Sequence, residues 1–150
     1  MPTAKNKKIY KHVLFATDLS KQSNVVAKRA ADIASNVGAK LSIVHVLSYS
    51  PVAYAGEFSI PIDAEFEHTL EKNAKKQLAT QAKKYSLPIK SQYLMEGSVK
   101  LGVTDLAKKI KADLIVVGTH GHEGLNLLLG SQANAILHAA PCDVWVVRIK

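Results

Sequence analysis

Apolar residues fall along this chain at two alternating spacings. Short continuous runs rich in β-branched residues occupy His12 to Thr17, Leu41 to Leu47, Leu114 to Val117 and Val144 to Ile149. Runs of this length and composition are those of strands buried on both faces of a parallel sheet. A fifth run, Ile89 to Met95, is more polar, as an edge strand allows. Between the runs the apolar positions recur every three or four residues: Val26, Ala30, Ile33, Ala34 and Val37; Phe66, Leu70, Ala74, Leu78, Ala82 and Tyr85; Val103, Leu106, Ala107 and Ile110; Ala133, Ile136, Leu137 and Ala140. Each set predicts an amphipathic helix. Ser20 and Asp63 stand where N-caps are expected, and Gly38 stands where a helix stops. Ser48 to Ile62, with Pro51, Gly56 and Pro61 among aromatic residues, reads as a long loop, either a lid or interaction surface or a segment covering a sheet edge.

Five strands alternating with four helices predict a single domain with an open, five-stranded parallel sheet covered by helices on both faces. Right-handed crossovers and a second half starting at Leu114 give the strand order 3-2-1-4-5. Ligands in such sheets sit beyond the carboxyl ends of the strands that flank the point where the winding reverses. Here those strands end at Thr17-Asp18 and Gly118-Thr119.

The second of these ends opens the most distinctive stretch of the chain, Asp113 to Ser131. After the buried run come Gly118, Gly121 and Gly124, then Gly130-Ser131 at a helix start. Glycines permit close backbone approach, and the open amides of a helix start favour an anion. The stretch is either a phosphate-binding loop or an ordinary glycine-containing connection.

Length and composition narrow the choices. A chain of 150 residues buries roughly 70% of its unfolded surface, so it needs no stapling by disulfides or metal. A single cysteine, Cys142, excludes an intramolecular disulfide, and no apolar run is long enough for a secretory segment or a membrane span. A cytoplasmic location is expected. Residues 1–10 read as a flexible basic leader. The net charge of +8 raises the question of nucleic acid. The lysines are scattered over Lys5 to Lys11, Lys72 to Lys84 and Lys108 to Lys111 without interleaved aromatics, which favours solvated helix faces and predicts neither a nucleic-acid nor a membrane partner.

Four blocks in this order, Lys11 to Ser20, Ala39 to Val46, Ala112 to Gly121 with Gly130-Ser131, and Ala140 to Val144, closely resemble the universal stress proteins over essentially the whole chain. The resemblance implies a Rossmann-like fold of the adenine nucleotide alpha hydrolase type, a homodimer formed through the last strand, and a choice between ATP-binding and non-binding members. The ATP-binding pattern is Gly-x2-Gly-x9-Gly-Ser/Thr. This chain carries Gly118, Gly121 and Gly130-Ser131, with eight residues, His122 to Leu129, between the second and third glycines. The loop is one residue shorter than the pattern, and Gly124 offers the backbone latitude to close it. Carried over by position, the resemblance places Val46, Ala16 and Thr17 at the adenine, Asp18 near the nucleotide or its Mg2+ or Mn2+, Gly118 under the ribose and α-phosphate, and Gly121, Gly130, Ser131 and Gln132 around the phosphates of ATP, AMP or ADP; Val117 and His120 complete the expected nucleotide-binding set, His120 packing or bonding within the phosphate loop. Asp18 can equally be an end-of-strand cap for the first helix.

The family reading implies a nucleotide-dependent regulator or sensor in the stress response, with a regulatory protein partner of unknown identity. A nucleotide-independent dimeric interaction module or a weak ATPase are the alternatives. The absence of a Gly-x4-Gly-Lys-Ser/Thr loop, of an evident general base and of an arginine near the glycines argues against an efficient enzyme. His120 and His122, with His138 as a third ligand, form a weak transition-metal pattern. His45, inside an apolar run, reads as a satisfied core histidine, and Cys142 as a structural thiol. The last strand, with Val144, Val146 and Arg148, is apolar enough to pair with a second copy of itself if its own flanking segments do not cover it.

Overall fold

A computed structural model describes residues 9–48, 52–55, 58–61, 64–119 and 130–149. Strand β1 (His12–Ala16) leads through α1 (Ser23–Val37) to β2 (Lys40–Leu47). A short hairpin of β3 (Val52–Ala55) and β4 (Phe58–Pro61) precedes α2 (Ala64–Lys83), which is followed by a 3-10 turn (Ile89–Ser91) and β5 (Gln92–Glu96). Then come α3 (Val99–Ile110), β6 (Leu114–Gly118), α4 (Ser131–Ala139) and β7 (Asp143–Val147). The main sheet runs β5-β2-β1-β6-β7, all parallel, which is the expected order 3-2-1-4-5 once the hairpin is set aside.

Period-two alternation in the strands divides the core into two layers. Val13, Phe15, Ile43, Leu114 and Val116 face α1 and α2, where Val26, Ala30, Ile33, Leu78 and Ala82 meet them. Leu14, Val44, Val46, Ile115 and Val117 face α3 and α4, packing on Val103, Leu106, Ala107, Ala133 and Ile136. Leu14, Leu114 and Ile115 are fully buried, and truncating any of them to alanine costs about 2–5 kcal/mol.

The loop expected from Ser48 to Ile62 is corrected: two four-residue strands pair antiparallel within it, Val52 opposite Pro61 and Ala55 opposite Phe58. Proline is tolerated there because the hairpin has unpaired edges. Ile89 to Ser91 does not begin the third strand of the sheet; it forms the 3-10 turn after Pro88, and β5 starts at Gln92. Helix α1 starts later than Ser20, at Ser23, and Gln22 at its cap position makes no side-chain capping bond. Ser20 instead closes the turn before the helix, its Oγ accepting from the Ser23 amide at 3.2 Å. Gly38 ends α1 with φ 68°, as expected. Residues 1–8 of the basic leader and Asp63 lie outside the described residues. Tyr10 is tied to the domain, its hydroxyl donating to Asp143 at 2.8 Å. No described helix is long and apolar enough to cross a membrane.

Candidate functional site

Where the sheet changes its winding direction, the helices following β1 and β6 leave to opposite faces and their strand ends part. A cleft of about 420 Å³ opens there. Ala16, Thr17 and Asp18 line it at the end of β1, Val46 at the end of β2, Val117 and Gly118 at the end of β6, and Gly130, Ser131 and Gln132 at the start of α4. These are nine of the eleven residues singled out from the sequence. The other two, His120 and Gly121, lie outside the described residues, as does His122.

One wall of the cleft is apolar. Val44 and Val46, two apart on β2, project to the same side, and Val99 and Val103, one turn apart on α3, come to meet them. Gly102 makes that approach possible: a Cβ there would stand 2.8 Å from Val46 Cγ2 and 3.2 Å from its Cγ1. Gly118 has a comparable packing role, since a Cβ would come within 2.6 Å of Ile149 Cδ1 and 3.1 Å of Val26 Cγ2. The Gly118 backbone still faces the cleft.

Another part of the lining is the start of α4. Gly130 occupies the cap position in an extended conformation, φ −62° and ψ 152°, and supplies no side chain to the helix end. The first intrahelical bond runs from the Asn134 amide to the Gly130 carbonyl at 2.9 Å. The amides of Ser131, Gln132 and Ala133 therefore have no partner in their own helix, and all three residues line the cleft. The Gly130 amide donates to the Thr119 carbonyl, while Thr119 is itself held by Val147 and Ile149. That bond joins the two residues that flank segment 120–129, within which the family spacing is one residue short.

The floor is a buried polar network. Thr17 Oγ1 donates to Gln81 Oε1 at 2.7 Å and accepts from the Leu19 amide at 3.0 Å. Gln81 Nε2 donates to Ser23 Oγ at 2.9 Å and to Asn24 Oδ1 at 3.2 Å. His45 Nδ1 donates to the Thr17 carbonyl at 2.8 Å, which fixes its tautomer. The histidine is thus satisfied, as expected, although it also lines the cleft. Leu19 sits in the left-handed region at φ 62°, a conformation that costs a leucine roughly 1 kcal/mol or more and persists only where its surroundings hold it. Asp18 Oδ1 accepts from the Ser20 amide at 2.8 Å, a turn bond that precedes α1.

Sequence reasoning missed Gln81, Val44, Val99 and Gly102. Val44 and Val99 carried a readable signal, the two-residue and four-residue spacings that align them with Val46 and Val103. Gln81 carried none, because a glutamine on a lysine-rich helix looks solvated and its partner Thr17 is 64 residues away. Among the described residues no three histidine, cysteine or acidic side chains gather to hold a metal, and His138 is exposed. Cys142 is half-buried, and burial pushes its thiol up to about 11, as suits a structural cysteine.

Fold and cleft together define an open, doubly wound α/β protein with a crevice at its switch point. The universal stress protein family model matches residues 9–148, and the chain belongs to that family. Universal stress protein A homolog 1 from Coxiella burnetii is 52% identical over 141 residues, covering 94% of this chain and 98% of that protein. Among solved structures, UspA from Lactobacillus plantarum superposes with a TM-score of 0.72 at 23% identity, over 93% of this chain and 98% of its own. A universal stress protein solved in complex with cAMP is 26% identical, with a TM-score of 0.59 over 92% and 96% of the two chains.

Proposed function

We propose that this universal stress protein binds ATP, or its product forms ADP and AMP, in the switch-point cleft and acts as a nucleotide-dependent regulator in the stress response. The observation that carries the reading is the pairing of an apolar wall with an uncapped helix start across one cleft. A base would lie against Val44, Val46, Val99 and Val103 with its edge toward the Val46 backbone. Phosphates would meet the amides of Ser131, Gln132 and Ala133 and the Ser131 hydroxyl. The cAMP complex of a relative 26% identical supports an adenine nucleotide as the ligand class.

Among the described cleft residues there is no lysine or arginine, and Asp18 is the sole carboxylate. Residues of this kind fit a nucleotide that brings its own Mg2+ or Mn2+, with Asp18 contacting the metal or its waters, because one carboxylate cannot cage a hard cation by itself. The same set is poor in hydrolytic groups: His45 commits Nδ1 to Thr17, and Asp18 accepts a backbone bond. A binding cycle, in which occupancy is what a regulatory protein partner reads, suits it better than turnover.

The reading includes a homodimer. Among the described residues strand β7 is the sheet edge, paired only with β6, and Trp145 on it is 44% exposed. Antiparallel addition of the same strand from a second copy would close that edge around Val144, Val146 and Arg148. Val146 is only half-buried, so a lysine there can extend its ammonium to water without unfolding the domain. Val146→Lys is expected to give a folded monomer by light scattering, and an unchanged mass would remove the β7 interface.

Isothermal titration with ATP, with and without Mg2+, tests the ligand. One site per chain, weakened when Mg2+ is withdrawn, is expected. Heat equal to the dilution blank at millimolar ATP would leave a nucleotide-independent interaction module as the function.

A further inference from the structure

A second cavity, of about 410 Å³, lies on the other side of the Thr17–Gln81 network, between the start of α1 and the face of α2. Lys76 and Thr80 are one turn apart on α2 and share a face, with Gln77 beside them, and Lys84 lines the groove from just past the helix end. Lys21 and Asn24 form the opposing wall. None of the three lysines has an ion-pair partner among the described residues, whereas the nearby Lys28 and Lys75 pair with Asp32 and Glu71. Acidic residues are absent from the whole of segment 72–84 and from segment 19–31. Asp18, the nearest acid in sequence, bonds the Ser20 amide and lines the other cleft.

We infer that this groove is a second anion site, built for a small molecule carrying two or three linked phosphates. Three lysines line one groove that contains no acidic residue, which gives it a positive potential that favours an anion. Lys76 on α2 and Lys84 just past its end are eight residues apart in the chain, a spread that linked phosphates suit better than a single one. Ammonium groups bind phosphate as point charges, without the planar fork of a guanidinium. Asn24 accepts from Gln81 through Oδ1, which leaves its amide hydrogens available to a ligand, and the Gln77 amide provides further donors. The opening amides of α1 are already taken, Ser23, Asn24 and Val25 donating to Ser20, Lys21 and Gln22. Side chains, and not the helix end, would hold the ligand.

The inference does not depend on what fills the switch-point cleft, and its test keeps the two apart. Amide spectra of the full chain carrying Gly130→Asp, which blocks the cleft with a carboxylate, are titrated with sodium tripolyphosphate. Saturating shifts are expected at Lys21, Asn24, Gln77 and Thr80. Lys76→Gln with Lys84→Gln should weaken the fitted affinity about tenfold or more, as loss of two charge-assisted contacts implies, and added salt should weaken it further. Both lysines are exposed, and an unchanged melting temperature shows the double variant intact. Shifts absent from the groove, an affinity indifferent to the double substitution, or equal binding of citrate would each overturn the assignment.

Discussion

The two ends of the sheet treat their polar groups in opposite ways. At the amino-terminal end they are satisfied within the chain. The Asp113 carboxylate accepts from the amides of Lys11 and His12 at 2.9 to 3.1 Å, and the imidazole of His12 bridges Ser42 Oγ at 2.7 Å and the Ile110 carbonyl at 3.2 Å. Tyr10 adds its bond to Asp143, which holds the phenol above its ordinary value. At the carboxyl-terminal end, the start of α4 offers three amides with no helical partner, Leu19 is held in a left-handed conformation, and the strands part around a cleft. One end closes its polar groups among themselves, and the other is where the proposed nucleotide would bind. Substitutions at the two ends should therefore separate stability from binding.

The largest separation is expected at Gly130. Its backbone angles suit any residue, and aspartate is a favoured helix cap. Gly130→Asp should leave the melting temperature equal or slightly higher while a carboxylate at the α4 start lowers ATP affinity by about a hundredfold or more, the direction that a charge opposing the phosphates must take. A variant that binds as well as the parent would remove α4 from the site. The mirror case is Asp113→Ala. It strips the carboxylate bonds from two backbone amides and should cost about 2–3 kcal/mol in chemical denaturation, with ATP affinity unchanged. Affinity falling in step with stability would mean that the two ends are not independent.

Gln81→Leu addresses the floor shared by β1, α1 and α2. Burying Thr17 Oγ1 and Ser23 Oγ without their amide partner should cost about 1–3 kcal/mol and weaken nucleotide binding by displacing Thr17. Equal binding in that variant would detach the network from the cleft.

The smallest effect is one of pH. Burial lowers the His12 pKa from its ordinary 6.5, so the unfolded chain takes up the proton first. Stability is then full above about pH 6.5, the unperturbed imidazole value, and falls as pH drops toward the depressed folded value. Denaturation midpoints at pH 7.5 and 5.5 should differ in that sense, and His12→Gln should flatten the difference. A parent protein more stable at the lower pH would contradict the assignment.

Much of this contrast could be read in the sequence. The buried runs fix which residues form β1, β2, β6 and β7, and their order leads to the switch point and thus to Thr17, Gly118 and Gly130. What remained illegible depends on contacts remote in sequence. Gln81 reaches Thr17 from α2, and Gly102 is a glycine because Val46 fills the space beside it. The hairpin Val52–Pro61 hid behind its own prolines and glycine, which read as loop punctuation, and Ile89 fits a strand by composition but follows a proline into a 3-10 turn. Asp113 seemed only the lead-in to a strand, because backbone amides a hundred residues earlier leave no mark of their own.

The central claim is that the open end of the sheet holds an adenine nucleotide. Thermal unfolding of the parent chain across a series of ATP concentrations with Mg2+ tests it most directly, since a ligand of the native state raises stability by about 2.7 kcal/mol at a hundred times its Kd. The account predicts a midpoint that climbs with ATP in the parent and stays fixed in Gly130→Asp. A parent midpoint that does not move at millimolar ATP, or one that moves equally in both chains, would contradict it.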